Sequence, residues 1–254
     1  MKILVYTANF GLKDDAPKLI NKDAVATTQV DFVCVTDNPS LSSHDYSMDL
    51  VERRFSDITK NARSIKVNGI ADIEKYDIAL WHDSSVMLDC ARLNELVQTV
   101  ENRTLSTFQH QDNCVYSEGR SCIRMRKDNP MRIVLQLAWY ALRHRYPVRN
   151  GLYETTIVCY NVNKYFGSPL QRLWWKHIRW LSRRDQLSLP FAIFRTSSAK
   201  EIGIISGTGF NNVFSVYRGH SHYDYHANPM LNFTPDWTAK LGTWLIFKLE
   251  KHLS

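Results

Sequence analysis

The residues of this chain best suited to chemistry fall at the ends of apolar runs. Asp83 follows one such run and is succeeded by Ser84 and Ser85, a cluster of oxygen-bearing side chains of the kind that takes a divalent cation. Arg63 and Lys66 lie three residues apart on one face of a predicted helix over 57–67 and offer two positive charges to phosphate. Tyr6, Thr7 and Ala8 close the first apolar run and Asp37 closes another, positions where a turn and a carboxylate suit the base and ribose of a nucleotide. A carboxylate, two cations and strand-end turns are together what a nucleotide diphosphate requires.

The elements that must gather these groups are legible from the apolar pattern. Strands are expected over 2–7, 31–36, 76–81, 105–109 and 155–160, with helices over 57–67, 91–100, 130–145 and 169–181. The second strand stops at Asp37-Asn38-Pro39-Ser40, where proline blocks continuation and Asp or Asn bonds nearby backbone. Alternation of this kind predicts an α/β fold with a mostly parallel central sheet flanked by helices, and ligands in such sheets bind beyond the carboxyl ends of the strands. A single domain is expected over 1–254, with 219–254 forming a His-, Asn- and Pro-rich loop followed by an amphipathic helix.

Bulk composition narrows the function classes. At 254 residues, 44% hydrophobic and 22% charged, the chain has the make-up of a soluble globular protein, and no apolar run approaches the roughly 18 residues that span a bilayer. The first residues lack a signal-peptide core, and five scattered cysteines without C-x-x-C spacing read as reduced thiols, so a cytoplasmic location is expected. The net charge of +7 suits an anionic partner, but the basic residues are dispersed over 53–54, 124–127, 143–145 and 183–184 with no nucleic-acid module, so nucleic acid is not expected. Trp237, Leu241, Trp244, Leu245 and Leu249 recur at helical spacing with Lys240, Lys248, Lys251 and His252; such a helix either packs on the core or lies on the inner face of an anionic membrane.

Six segments taken in order carry a family resemblance. They are Val5-Tyr6-Thr7-Ala8, the run 31–37, the run 61–67, Trp81-His82-Asp83-Ser84-Ser85, Cys114-Val115-Tyr116-Ser117-Glu118 and Ser182-Arg183-Arg184-Asp185-Gln186-Leu187-Ser188. The pattern resembles the glycosyltransferase-like domain of plant mucilage-related galacturonosyltransferase-type proteins and their bacterial relatives, within the GT-A superfamily. It covers roughly four-fifths of the chain. The resemblance implies a GT-A fold and transfer of a sugar, assisted by Mn²⁺ or Mg²⁺, from a nucleotide-sugar donor, expected to be a UDP-sugar, to a hydroxyl acceptor; a glycan, a lipid-linked glycan or another hydroxyl compound is the expected acceptor.

Site roles follow from the same resemblance. Asp83 and Ser85 stand at the two acidic positions of the Asp-x-Asp metal motif; serine at the second implies a further ligand, for which His220 or His222 is the candidate. Asp185 and Gln186 match the Asp-Gln pair of glycogenin-like transferases, near sugar and acceptor. Glu154, in Gly151-Leu152-Tyr153-Glu154, is a donor-sugar contact, while His110, with Glu118 after it, is a candidate acceptor base. Two other classes compete. A nucleotide-sugar-forming nucleotidyltransferase would carry a Gly-rich phosphate loop near the N-terminus, where this chain has only Gly11; a non-catalytic basic glycan-binding module would leave Asp83, Glu118, Glu154 and Asp185 without a role.

Overall fold

The structure is a computed structural model that describes residues 1–25, 29–220 and 236–253. In chain order its elements are β1 (Ile3–Asn9), β2 (Leu19–Ile20), β3 (Val30–Thr36), β4 (Ser47–Leu50), α1 (Ile58–Asn68), β5 (Ile78–His82), β6 (Val86–Asp89), α2 (Leu93–Gln98) and β7 (Leu105–Gln109). They continue with α3 (Val115–Arg124), α4 (Pro130–His144), β8 (Tyr153–Asn161), α5 (Val162–Tyr165), α6 (Pro169–Trp180), α7 (Asp185–Thr196), β9 (Ile202–Ile205), β10 (Ser215–Tyr217) and α8 (Asp236–Leu253). The chain divides into two compact units.

The first unit, 1–109, 154–172 and 198–223, holds both sheets. Seven strands run in the order β4-β3-β1-β5-β8-β7-β9, parallel at β4/β3, β3/β1, β1/β5 and β7/β9, with β8 antiparallel to β5. The predicted mostly parallel sheet is therefore present. Strands β1, β5 and β8 are buried along nearly their whole length, and β1 and β5 accordingly read as largely apolar runs instead of alternating ones. Ile3, Val5, Leu80, Leu96, Phe108 and Ile157 belong to one core cluster. A smaller sheet, β10-β6-β2, follows the motif at 81–85 directly in sequence through β6.

Register decides which residues reach the carboxyl edge. Pairing of Asn9 with Thr36 and of Tyr6 with Trp81 brings the ends of β1, β3 and β5 level. Because β8 runs the other way, its beginning lies at that same edge: His82 pairs with Ile157, and Asp83 N donates to Thr156 O at 2.9 Å.

The second unit, 110–153, 173–197 and 224–254, is helical among its described residues. Its core includes Val115, Ile123, Ile133, Leu137, Tyr140, Leu187, Phe191 and Ile246. Gly119 lets α3 close on α4, since a Cβ there would lie 2.4 Å from Leu137 Cδ1. Helix α7 runs from Asp185 to Thr196 with Pro190 accommodated inside it.

Gly203 in β9 offers a test of how tightly the first unit is packed. A Cβ at that position would meet Ser106 Oγ at 2.1 Å and, less able to yield, the backbone Thr99 O at 2.6 Å. Gly203→Ala is expected to lower the unfolding free energy by about 1–3 kcal/mol, read by urea denaturation. Unchanged stability would show that β9 is not held at this distance.

Candidate functional site

The carboxyl edge of the first unit is organised around Asp83. Helix α1 begins at Asp57, whose side chain caps it by accepting from Thr59 N and Lys60 N, and this fixes the phase that aims Arg63 and Lys66 at the same strand end. Asp83 Oδ1 accepts from Arg63 Nη1 at 2.9 Å and from Trp81 Nε1 at 2.9 Å, and lies 3.6 Å from Lys66 Nζ. Asp83 thus faces two cations, Arg63 and Lys66, at the end of one strand. Arg63 keeps 13% of its side chain exposed and Asp83 25%.

Lys66 does not share that exposure. Its side chain is fully buried, its Nζ donates to Thr155 O, and it sits 5.7 Å over the Trp81 ring. Lys66 shares the helix face of Arg63 and reaches Asp83, but as an interior cation with no exposed surface to offer a phosphate directly. Tyr6, Thr7 and Ala8 are likewise buried. Tyr6 Oη donates to Lys66 O at 2.9 Å, while Thr7 Oγ1 is buried with no hydrogen-bond partner among the described residues. Asp37 accepts from Gly11 N at 2.9 Å and from Arg53 Nε, so it ties the turn after β1 to the end of β3.

His82 holds the backbone of the motif. Its Nδ1 lies 3.1 Å from Asp83 O and its Nε2 2.7 Å from Tyr46 Oη. A carbonyl can only accept, so Nδ1 carries the proton and Nε2 accepts from the tyrosine. Burial pushes the imidazole down to about 4, against a smaller raising effect of Asp83, so the ring is neutral near pH 7.

Three residues not singled out by sequence complete this edge. Asp14, with a fully buried carboxylate, accepts from Ser84 Oγ and lies 2.9 and 3.2 Å from His220 Nδ1. Burial alone would raise its pKa, but the bonds from His220 and Ser84, with the charges of His220 and Lys13, hold it below the ordinary carboxylate value. Asn9 Nδ2 donates to Asp14 O at 2.6 Å. Arg218 N donates to Ser85 O, and its guanidinium reaches Ser84 O, Ala16 O and Asp15 O, strapping 218–220 over the motif. The only available signal was a pair of acids after the first strand, indistinguishable in sequence from a solvated loop.

Glu154, at the start of β8, is 7% exposed; its Oε2 accepts from Gly209 N, and its carbonyl accepts from Thr107 Oγ1 at 2.7 Å. A Cβ on Gly209 would lie 2.8 Å from Glu154 Oε2, so the glycine is what allows this close approach.

In the second unit, Asp185 is the first residue of α7, one position inside the cap, and is 1% exposed; its carbonyl accepts from Trp174 Nε1 at 3.1 Å. Gln186 Oε1 accepts from Arg184 Nη2 at 3.0 Å. Lys127, from the basic run 124–127, is pulled down chiefly by burial and next by the charge of Arg184, while Cys122, Glu118 and Asp185 act to raise it. Glu118 and Asp185 thus share one charged cluster. His110 Nδ1 accepts from Asp112 N at 2.9 Å, which places the neutral ring's proton on Nε2.

A divalent cation needs several oxygen or imidazole ligands converging on one point. Among the described residues no group of three or more His, Cys, Asp and Glu could hold a metal ion. Asp83 Oδ1 faces Arg63, Trp81 and Lys66, and His220 Nδ1 faces Asp14. His222 lies outside the described residues. The described set, as arranged, does not fit a metal cage.

No family model and no curated protein matches the chain. Among solved structures it is similar to the bifunctional glycosyltransferase WbbM in its apo form, at 11% identity and a TM-score of 0.46, over 81% of this chain and 38% of that one. It is similar to the galactosyltransferase LgtC bound to donor and acceptor sugar analogues, at 11% identity and TM-score 0.42, over 97% and 95%. It is also similar to S. aureus TarS 1–349 in complex with UDP-GlcNAc, at 11% identity and TM-score 0.46, over 100% and 69%. The chain therefore spans well under half the length of WbbM and nearly all of LgtC. With likenesses this distant, the architecture stands on its own strand order and register.

The neutral state of His82 makes a pH test. Its folded pKa, about 4, lies below the unfolded value of about 6.5, so the unfolded chain takes up the proton first and stability is lost as pH falls from about 6.5 toward 4. Between pH 7 and 5 the loss from this ring is on the order of 2 kcal/mol. An NMR titration of the imidazoles is expected to show His82 without a protonation midpoint above pH 5; a midpoint near 6.5 would overturn the assignment.

Proposed function

We propose that this chain is a single GT-A-type glycosyltransferase domain that moves a sugar from a UDP-sugar to a hydroxyl of a glycan or lipid-linked glycan. The observation that carries the reading is the Asp83–Arg63–Lys66 arrangement at the carboxyl edge of a mostly parallel sheet, level with the ends of β1 and β3. A diphosphate requires positive charge at a fixed place, and Arg63, held by Asp83 with part of its side chain exposed, offers one at this edge. The sequence resemblance supplies the reaction class.

In the proposed step the bond from the sugar's anomeric carbon to the donor phosphate breaks, and a bond to the acceptor oxygen forms. The acceptor loses its proton to a base, and the departing UDP carries the electron pair. Arg63, the more exposed of the two cations, neutralises that developing charge, with Lys66 holding Asp83 in place behind it. The turn after β1, tied by Asp37 to β3, receives the base and ribose, with Ser84 beside it. Glu154 is assigned to the donor sugar. The assignments of Asp185, Gln186 and His110 in the second unit rest on the motif resemblance. The metal-assisted form, with Mn²⁺ or Mg²⁺ on Asp83, Ser85, His220 and His222, rests on that resemblance too; the described side chains make no cage for it, so charge neutralisation is written for Arg63.

Calorimetric titration with UDP, with Mn²⁺ and after chelation, tests both parts. UDP is expected to bind, and Arg63→Ala to weaken it by roughly tenfold or more, as loss of a charge-assisted phosphate contact does. No binding of any nucleotide would sink the reading. Binding that vanishes on chelation would keep the donor site but restore the cation to its centre.

A further inference from the structure

Helix α8 has two apolar faces, and only one of them belongs to the core. Ile246 is buried, and Ala239, Leu245, Leu249 and Leu253 pack against the second unit's interior. On the other side Trp237, Leu241, Trp244 and Phe247 stay exposed at 63, 39, 53 and 44%. Lys240, Lys248 and Lys251 fall on the same stripe, with Lys248 Nζ 5.6 Å over the Trp244 ring and Lys251 Nζ 4.9 Å over that of Phe247. Both acids of α8 are ion-paired, Asp236 with Arg126 and Glu250 with Arg120. Between α3 and α8 lies a groove of about 590 Å³ lined by Arg120, Arg124, Lys240, Thr243, Trp244 and Phe247.

We propose that this face seats the second unit on an anionic phospholipid bilayer, with phosphate headgroups in the groove and the rings of Trp244 and Phe247 at the acyl boundary. Rings interleaved with lysine ammoniums match a medium that is apolar below and negatively charged above. A second copy of the chain is a poor occupant, because its lysines would oppose these lysines. No helix of the described residues is long and apolar enough to cross a membrane, so α8 lies along the surface. The inference stands apart from the sugar-transfer reading, since none of these residues takes part in it.

Co-sedimentation of the full chain with phosphatidylcholine vesicles, and with vesicles carrying roughly one quarter phosphatidylglycerol, tests the proposal. The chain is expected to pellet with the anionic vesicles at least about tenfold better than with neutral ones, and to release as salt rises from about 0.1 to 0.5 M. Joint Lys240→Glu, Lys248→Glu and Lys251→Glu substitution, and separately Trp244→Ala with Phe247→Ala, should each abolish the preference while leaving the circular dichroism spectrum unchanged. Equal pelleting with both vesicle types overturns the proposal, as does salt-insensitive binding. A concentration-dependent dimer that the Trp244 and Phe247 changes dissolve would also overturn it, assigning the face to self-association. The wild-type salt series decides the question even if a variant fails to fold.

Discussion

A buried lysine ties the site to the fold. Lys66 spans the interior of the first unit: its carbonyl, near the end of α1, accepts from Tyr6 on β1 at 2.9 Å and from Tyr160 on β8 at 3.0 Å, and its ammonium reaches Thr155 O and Asp83. A helix's last carbonyls have no partners within the helix, so the two tyrosines complete α1 while anchoring it to two strands. An ammonium with no exposure is costly by several kcal/mol unless paired, and Asp83 is its charge partner. The carboxylate at the candidate site is thereby a requirement of the core.

This dependence explains which parts of the molecule were legible in sequence. Strands β1, β3, β5, β7 and β8 are mostly buried and, at five to nine residues each, long enough for a strand pattern to register. Strands β2, β4, β6, β9 and β10 have two to four residues each, too few for any period to register, and β4 is at no position fully buried. The proximity of Arg63, Lys66 and Asp83 was readable because it needs only helical spacing and a strand end. What could not be read was which of two neighbouring cations goes inside, because that depends on β8 running antiparallel and delivering Thr155 O to the spot.

The same limit applies to Asp14, Arg218 and His220. Their bonds join residues about 200 positions apart, and nothing local distinguishes Asp14 from Asp15 or Asp23. Helix α8 shows the converse. Its five recurring apolar residues were visible, yet spacing alone did not say that Leu245 and Leu249 turn inward while Trp237 and Trp244 stay out. Only the packing against α3 and α4 resolves one stripe into two.

The coupling between core and site also ranks the side chains as probes. Removing Asp83 would take a counter-charge from the buried Lys66, and breaking such a pair from one side is destabilising, so lost activity in such a variant would mix chemistry with unfolding. Removing Lys66 would leave the Tyr6 and Tyr160 bonds to its backbone intact but would open space beneath Trp81. Arg63 is different. It touches Asp83 from the rim, with part of its side chain in solvent, and Lys66 remains to balance the carboxylate when it is gone. A change at Arg63 therefore alters the charge offered to a ligand with the least disturbance to what holds the edge together, and this position separates function from fold most cleanly.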